Sequence, residues 1–127
     1  ARYHAADMAN EGYIRHDTHN LHNGKAKLEM DTYDRIGKFL RGTDILANGE
    51  NIAAGQMNEK EAFDGWRNSP GHYKCMIDSK ATWIGIGFYY KENSPYESYW
   101  VLDTGRNPKP VKKRKKGSGR LRQSSRK

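Results

Sequence analysis

Two runs near the C-terminal end of the chain, "TWIGIGFYYK" and "SYWVLDTG", do most to limit what it can fold into. Both are rich in β-branched and aromatic residues, the side chains that pack best on a pleated, half-buried surface. Only "ENSPYE" separates them, so they are most simply antiparallel neighbours. Gly85 and Gly87 in the first run suggest close approach of another backbone. The segments upstream read as helices and polar loops. Helices followed by an antiparallel pair argue for an α+β domain.

Residues 1–11 place Tyr3, Ala6, Met8 and Ala9 near one face of a helix that Gly12 ends. "GYIRHDTHNLHNGK" is polar and turn-rich and reads as a loop. "DTYDRIGKFLRG" reads as a short helix capped by Asp31, with Tyr33, Ile36, Phe39 and Leu40 on a shared face. "ENIAAGQ" is strand-like but short. "NEKEAFDGWRN" opens with Asn58 as a cap and Glu61 three residues on, a capping box, and Ala62, Phe63 and Trp66 form its buried stripe. In "SPGHYKCMI", Ser69 is the N-cap and Pro70 fits the first helical position.

The 127 residues carry a formal charge of +8, yet ten Lys and Arg and no acid lie between Asn107 and Lys127. The first 106 residues therefore hold 13 basic against 15 acidic side chains. Two units follow: a folded domain over 1–106 and a basic tail over 107–127, expected to be disordered for want of large apolar residues. The block Lys112, Lys113, Arg114, Lys115 and Lys116 suits a polyanion, whether an anionic polymer or a membrane surface, through counterion release. No aromatic is interleaved there, which argues against dedicated single-strand recognition. The single cysteine, Cys75, rules out an internal disulfide framework, and no apolar run is long enough to span a bilayer. The chain opens in what reads as mid-helix, with no start methionine or signal peptide, so its beginning is expected to be processed or cut.

Three of five histidines crowd into "RHDTHNLH", which raises the question of a metal site. The answer comes from the order of motifs along the chain. "ARYHAADMA", "YIRH", "GENIAAG", "EAFDGWRNSPGH", "IGIGFYY" and "YWVLDTGR" together resemble the CAP superfamily, also called the SCP domain, in its disulfide-free bacterial form. The likeness covers roughly residues 1–106, and "GENIAAG" with "GWRNSPGH" is its specific part. It implies an α-β-α sandwich, with a small antiparallel sheet between helical layers, and a surface cleft holding two histidines and two glutamates. The matching positions are His16 in "YIRH", Glu50 in "GEN", Glu61 five before Trp66, and His72 in "SPGH". His19 and His22 have no counterpart and are expected in an exposed loop. The resemblance also implies secretion or surface exposure.

Two imidazoles and two carboxylates suit a borderline divalent ion such as zinc, with water in the open positions. The family pattern makes His16 and His72 the metal ligands, with Glu50 and Glu61 fixing the imidazole tautomers, and hence a weak site. His72 lies in the first turn of its helix, where the positive end of the dipole favours a neutral ring. With Glu61 or Glu50 as general base, the same cleft would serve a metal-dependent hydrolase of the peptidase or esterase type, though no "HExxH" helix accompanies it. A non-enzymatic binding module is the favoured reading. Each residue also has a plainer role: Glu61 in its capping box, Glu50 in a turn, His72 at a helix start, His16 in a loop.

Cys75 stands where the family usually has asparagine, and reads as a small, partly buried structural thiol rather than a nucleophile. Thr104 replaces an aromatic, which thins that end of the sheet core. The aromatic residues of 82–100 read as sheet core and cross-strand pairs rather than a stacking surface. Relatives carry one more helix before "ARYHAADMA". Its absence implies a fragment, or an apolar face covered by a dimer mate or a missing segment.

Overall fold

In the computed structural model, which describes residues 1–22 and 25–108 and only the backbone of 18–22 and 25–29, helices start and stop largely where local sequence signals put them. Helix α1 (Arg2–Glu11) ends at Gly12, whose φ of 76° lets its N–H return to the Met8 carbonyl at 2.9 Å. Helix α2 (Thr32–Phe39) is capped by Asp31, which accepts from the Asp34 N–H at 2.8 Å. Asn58 does the same for Glu61 at the start of α3 (Glu59–Arg67), at 2.9 Å. Helix α4 (Pro70–Met76) follows at once, with proline in its first turn.

The strand-like "ENIAAGQ" is part of a nine-residue strand, β3 (Leu46–Ala54). With β4 (Trp83–Tyr90) and β5 (Ser98–Arg106) it makes an antiparallel sheet ordered β3-β5-β4. The two runs do pair directly, Phe88 opposite Trp100 and Gly87 opposite Val101, but β5 is the centre of the sheet rather than an edge. It is also the most buried strand. Its residues alternate between two cores. Tyr99 and Val101 pack with Ala5, Met8, Ala9 and Tyr13 on one face, and Trp100 and Leu102 with Ala62 and Trp66 on the other. Helix α1 lies on one face, α3 and α4 on the other, which is the α-β-α arrangement.

Several expectations are corrected. The segment read as a loop forms a hairpin, β1 (Thr18–His22) with β2 (Lys25–Met30), so His19 and His22 lie on a strand. An Asn-Gly pair, the commonest two-residue hairpin signal, stands between these strands in the sequence. The buried stripe of α1 is His4, Ala5, Met8 and Ala9, with Tyr3 about half exposed, because a polar histidine that finds hydrogen bonds can occupy a core position. On α2 only Ile36 and Arg35 are buried, while Tyr33 and Phe39 are exposed; on α3 Phe63 is likewise exposed. The tail from residue 109 on, with Lys112 to Lys116, lies outside the described residues.

Of the two glycines in β4, Gly85 has open space where a Cβ would point, but Gly87 does not. A Cβ on Gly87 would come within 2.2 Å of the Arg2 nitrogen and 2.5 Å of the Ala1 carbonyl carbon. The start of α1 therefore rests on bare backbone. Gly87→Ala is expected to push α1 off the sheet and lower the unfolding free energy by about 1–3 kcal/mol, the range for overpacking. Gly85→Ala is the control and should stay near wild type. Urea titration of both variants measures it.

Candidate functional site

The "GEN" turn of sequence is a strand segment, and alternation sends its two polar side chains to opposite sides. Asn51, fully buried, donates to the His72 carbonyl at 3.0 Å and so ties the start of α4 to β3. Glu50 points to the other side. One of its oxygens faces His16 Nδ1 at 3.1 Å, and the other takes the Arg35 guanidinium. Glu50 and Arg35 side chains are 1% and 2% exposed, whereas the His16 ring is about half exposed. The ring is thus held from behind with its far edge toward solvent.

Arg35 organises this corner. Its Nη1 donates to the His16 carbonyl at 2.6 Å, its Nη2 pairs with Glu50, and the Asp103 carboxylate lies 4.0 Å from Nη2. One guanidinium therefore fixes the backbone and, through Glu50, the ring of His16. Asp103 Oδ1 is buried with no ordinary donor among the described residues. Burial and the adjoining Asp103 carboxyl push Glu50 far above the usual carboxylate range, against the pull of Arg35. Asp103 Oδ2 in turn pairs with the Ala1 ammonium at 3.2 Å, so two acids face two cations at this corner.

Burial lowers the His16 pKa, and the charges of His72 and Arg35 lower it further. His16 is therefore neutral at pH 7, and its Nδ1–H donates to Glu50, which leaves Nε2 as the lone-pair nitrogen. His72, half-buried at the start of α4, is near enough for its charge to act on His16. Glu61 is placed differently. Its carboxylate accepts from the Met57 N–H at 3.1 Å while its own N–H is capped by Asn58, so it serves the start of α3. Of the four cleft residues, His16 and Glu50 meet at hydrogen-bond distance, His72 acts on His16 through charge, and Glu61 is engaged at the start of α3. Among the described residues no three His, Cys, Asp or Glu side chains form a ready-made metal cluster.

Two residues that organise the site were not singled out as site residues in the sequence. Arg35 is one. The other is His4, fully buried, whose Nε2 donates to the Arg15 carbonyl at 2.7 Å. Its Nδ1 lies 3.5 Å from the Tyr13 hydroxyl, which donates to Asp7 at 2.5 Å. His4 and Arg35 hold the carbonyls of Arg15 and His16, two consecutive peptides, from inside the protein. Asp17 extends the anchoring by accepting from the Thr32 N–H and hydroxyl at 2.8 and 2.9 Å.

The two departures noted in the sequence meet in space. Gly49 lies under both Cys75 Sγ and Thr104 Oγ1, so close that a Cβ there would stand 3.0 and 3.2 Å from them. Thr104 is buried and accepts from Asn48 at 3.3 Å, which also donates to Asp78 at 3.1 Å. A small polar cluster thus occupies that end of the sheet. Burial and the Asp78 charge push the Cys75 thiol up, away from nucleophile chemistry.

With that geometry in view, comparison with known proteins is informative. The family described as "CAP: Cysteine-rich secretory protein family" matches residues 1–104. Two curated proteins of Bacillus subtilis (strain 168) are similar at 31% identity. These are the uncharacterized membrane protein YlbC, over 93 residues, and the uncharacterized protein YkwD, over 88. The matched regions are 71% and 69% of this chain but 24% and 30% of those proteins, so the chain spans under a third of either. A crystal structure of an extracellular protein containing an SCP domain, from Bacillus anthracis str. Ames, superposes with a TM-score of 0.64 at 29% identity. It covers 84% of this chain and 30% of that one.

Proposed function

This chain belongs to the CAP family of cysteine-rich secretory proteins, and from that membership and the cleft geometry we propose that it is a binding domain exposed outside the cell. Its ligand site is a weak divalent-metal cleft formed by His16 and His72. The observation that carries this reading is the carboxylate–imidazole pair, with Glu50 on His16 Nδ1 and Arg35 behind it. A buried acid that fixes the tautomer of a neutral, half-exposed ring is the arrangement that metal-ligating histidines use. The extracellular placement is supported by the SCP-domain neighbour, itself described as extracellular. No described helix is long and apolar enough to cross a membrane.

Two protein ligands leave two of the four positions of a zinc-type ion open, and such an ion would supply a Lewis-acid position for an oxygen of the bound ligand. The side chains present favour binding over hydrolysis. A general base must be an accessible, unprotonated acceptor. Glu50 is enclosed and paired with Arg35, and Glu61 is occupied at the start of α3. Attraction of anionic polymers through Lys112 to Lys116 is a separate function of the tail, additive to the cleft.

Calorimetric titration with zinc at pH 7 tests the reading. Wild type is expected to bind at one weak site, and the double variant His16→Ala, His72→Ala should give no saturable heat. Equal binding by both would remove the cleft as a metal site. Below the His16 pKa the affinity should fall, because the imidazole must be neutral to ligate.

A further inference from the structure

Strand β4 has an open edge, and its hydrogen-bonding groups can be assigned from the ladder. Beyond the last paired residues of β4 and β5, the Lys91 N–H donates to the Glu97 carbonyl. On the far side of β5, the Gly55 N–H donates to the Ser98 carbonyl. Both facts fix one alternation. Even-numbered residues of β5 bond to β3, odd-numbered ones to β4, and odd-numbered residues of β4 bond back to β5. Ile84, Ile86, Phe88 and Tyr90 therefore turn their N–H and C=O groups outward, and no described residue takes them up.

The same four side chains share the sheet face on which Trp100 and Leu102 meet α3 and α4, but they lie beyond that cover. Ile84 and Ile86 are 66% and 61% exposed. Open edges are ordinarily blunted by a lysine, a proline, a bulge or short length. From Trp83 to Tyr90 this strand has eight residues, no charge, no proline and no register shift.

We infer that β4 is a pairing edge for a second copy of this chain, joined antiparallel about a twofold axis at Ile86. That register sets Ile84 opposite Phe88 of the other copy and Ile86 opposite Ile86, all with outward-facing main-chain groups. Six backbone hydrogen bonds form, and the two sheets merge into one of six strands. A strand is the partner that a bare row of alternating donors and acceptors selects. An uncharged edge is self-complementary, which a twofold contact requires. Pairing covers about 1,000 Å2 in total, the lower end for a specific interface, so association in the micromolar range is expected.

Sedimentation velocity of the full chain from about 1 to 100 µM, a range that brackets such an affinity, tests this. Wild type should pass from monomer to dimer across it. Ile86→Lys should stay monomeric with an unchanged far-ultraviolet circular dichroism spectrum, and Ile77→Lys, a comparably exposed site just after α4, should dimerise as wild type does. Hydrogen exchange at high concentration should protect the Ile84, Ile86 and Phe88 amides, and dilution or Ile86→Lys should abolish that protection. A wild-type monomer throughout overturns the inference, and leaves the edge to a different partner. So does a dimer in which those three amides exchange at free-edge rates, which would mean docking through side chains alone.

Discussion

Arg35→Met is expected to destabilise the protein by about 3–5 kcal/mol, the effect of removing one partner from a buried ion pair. Methionine fills the space, so the loss is electrostatic rather than a cavity. It leaves the His16 carbonyl without its 2.6 Å donor and Glu50 without its guanidinium, so that only the Ala1 ammonium, 3.2 Å from Asp103, is left to face both carboxyls. Against a total stability of about 5–15 kcal/mol, that shift is large enough to lower the melting temperature by roughly 15 °C or more. Scanning calorimetry at pH 7 and at pH 5 gives the measurement. The deficit should shrink at the lower pH, where the abandoned carboxyls can take up protons. Adding Glu50→Gln should recover part of the loss for the same reason. The exposed Lys60–Asp64 pair on α3 provides scale, since breaking it should change little. A melting temperature for Arg35→Met within a few degrees of wild type would mean that the guanidinium is not what holds this corner.

The sequence made the site's ends legible and its middle opaque. Helix caps are local chemistry, so Asp31, Asn58, Pro70 and Gly12 announced their elements and the structure keeps them. The two aromatic runs were long and apolar enough to pair on inspection. Failures occurred where a residue's environment comes from far along the chain. A five-residue strand whose one apolar residue is Leu21 has no apolar alternation to betray it, so β1 read as a loop. Arg35 drew no reading of its own on an amphipathic helix, because nothing nearby in sequence shows that Glu50 and Asp103 will converge on it from two strands. The useful sign was the unexplained one. Glu50 is the one charged residue of β3, and a buried acid there requires a cation or a proton; the structure supplies the cation.

His4 should make the protein acid-sensitive in a window that its two protonation states define. Burial, with the Arg35 charge next, lowers its pKa from 6.5 to about 4, against smaller raising effects from the Arg15 carbonyl and the Asp103 charge. A folded-state pKa below the unfolded one means that the unfolded chain binds more protons between those values. Stability from this group is therefore full above pH 6.5, falls as the pH drops toward 4, and changes no further below that. The full span amounts to about 3 kcal/mol. Glu50 works in the opposite sense, since its raised pKa favours the folded state as acid is added, so the total curve alone does not isolate His4. The difference between two proteins does. His4→Gln retains an N–H donor for the Arg15 carbonyl but cannot titrate, so wild type minus variant should slope by up to about 1.4 kcal/mol per pH unit between pH 6.5 and 4. Because the Arg15 carbonyl leads directly to His16, the same acid transition should loosen the cleft before the core. The amide of His16 should then gain exchange rate ahead of those of Val101 and Leu102. A flat difference curve would show that the buried imidazole finds a partner for its second proton, with the Tyr13 hydroxyl oxygen the nearest acceptor.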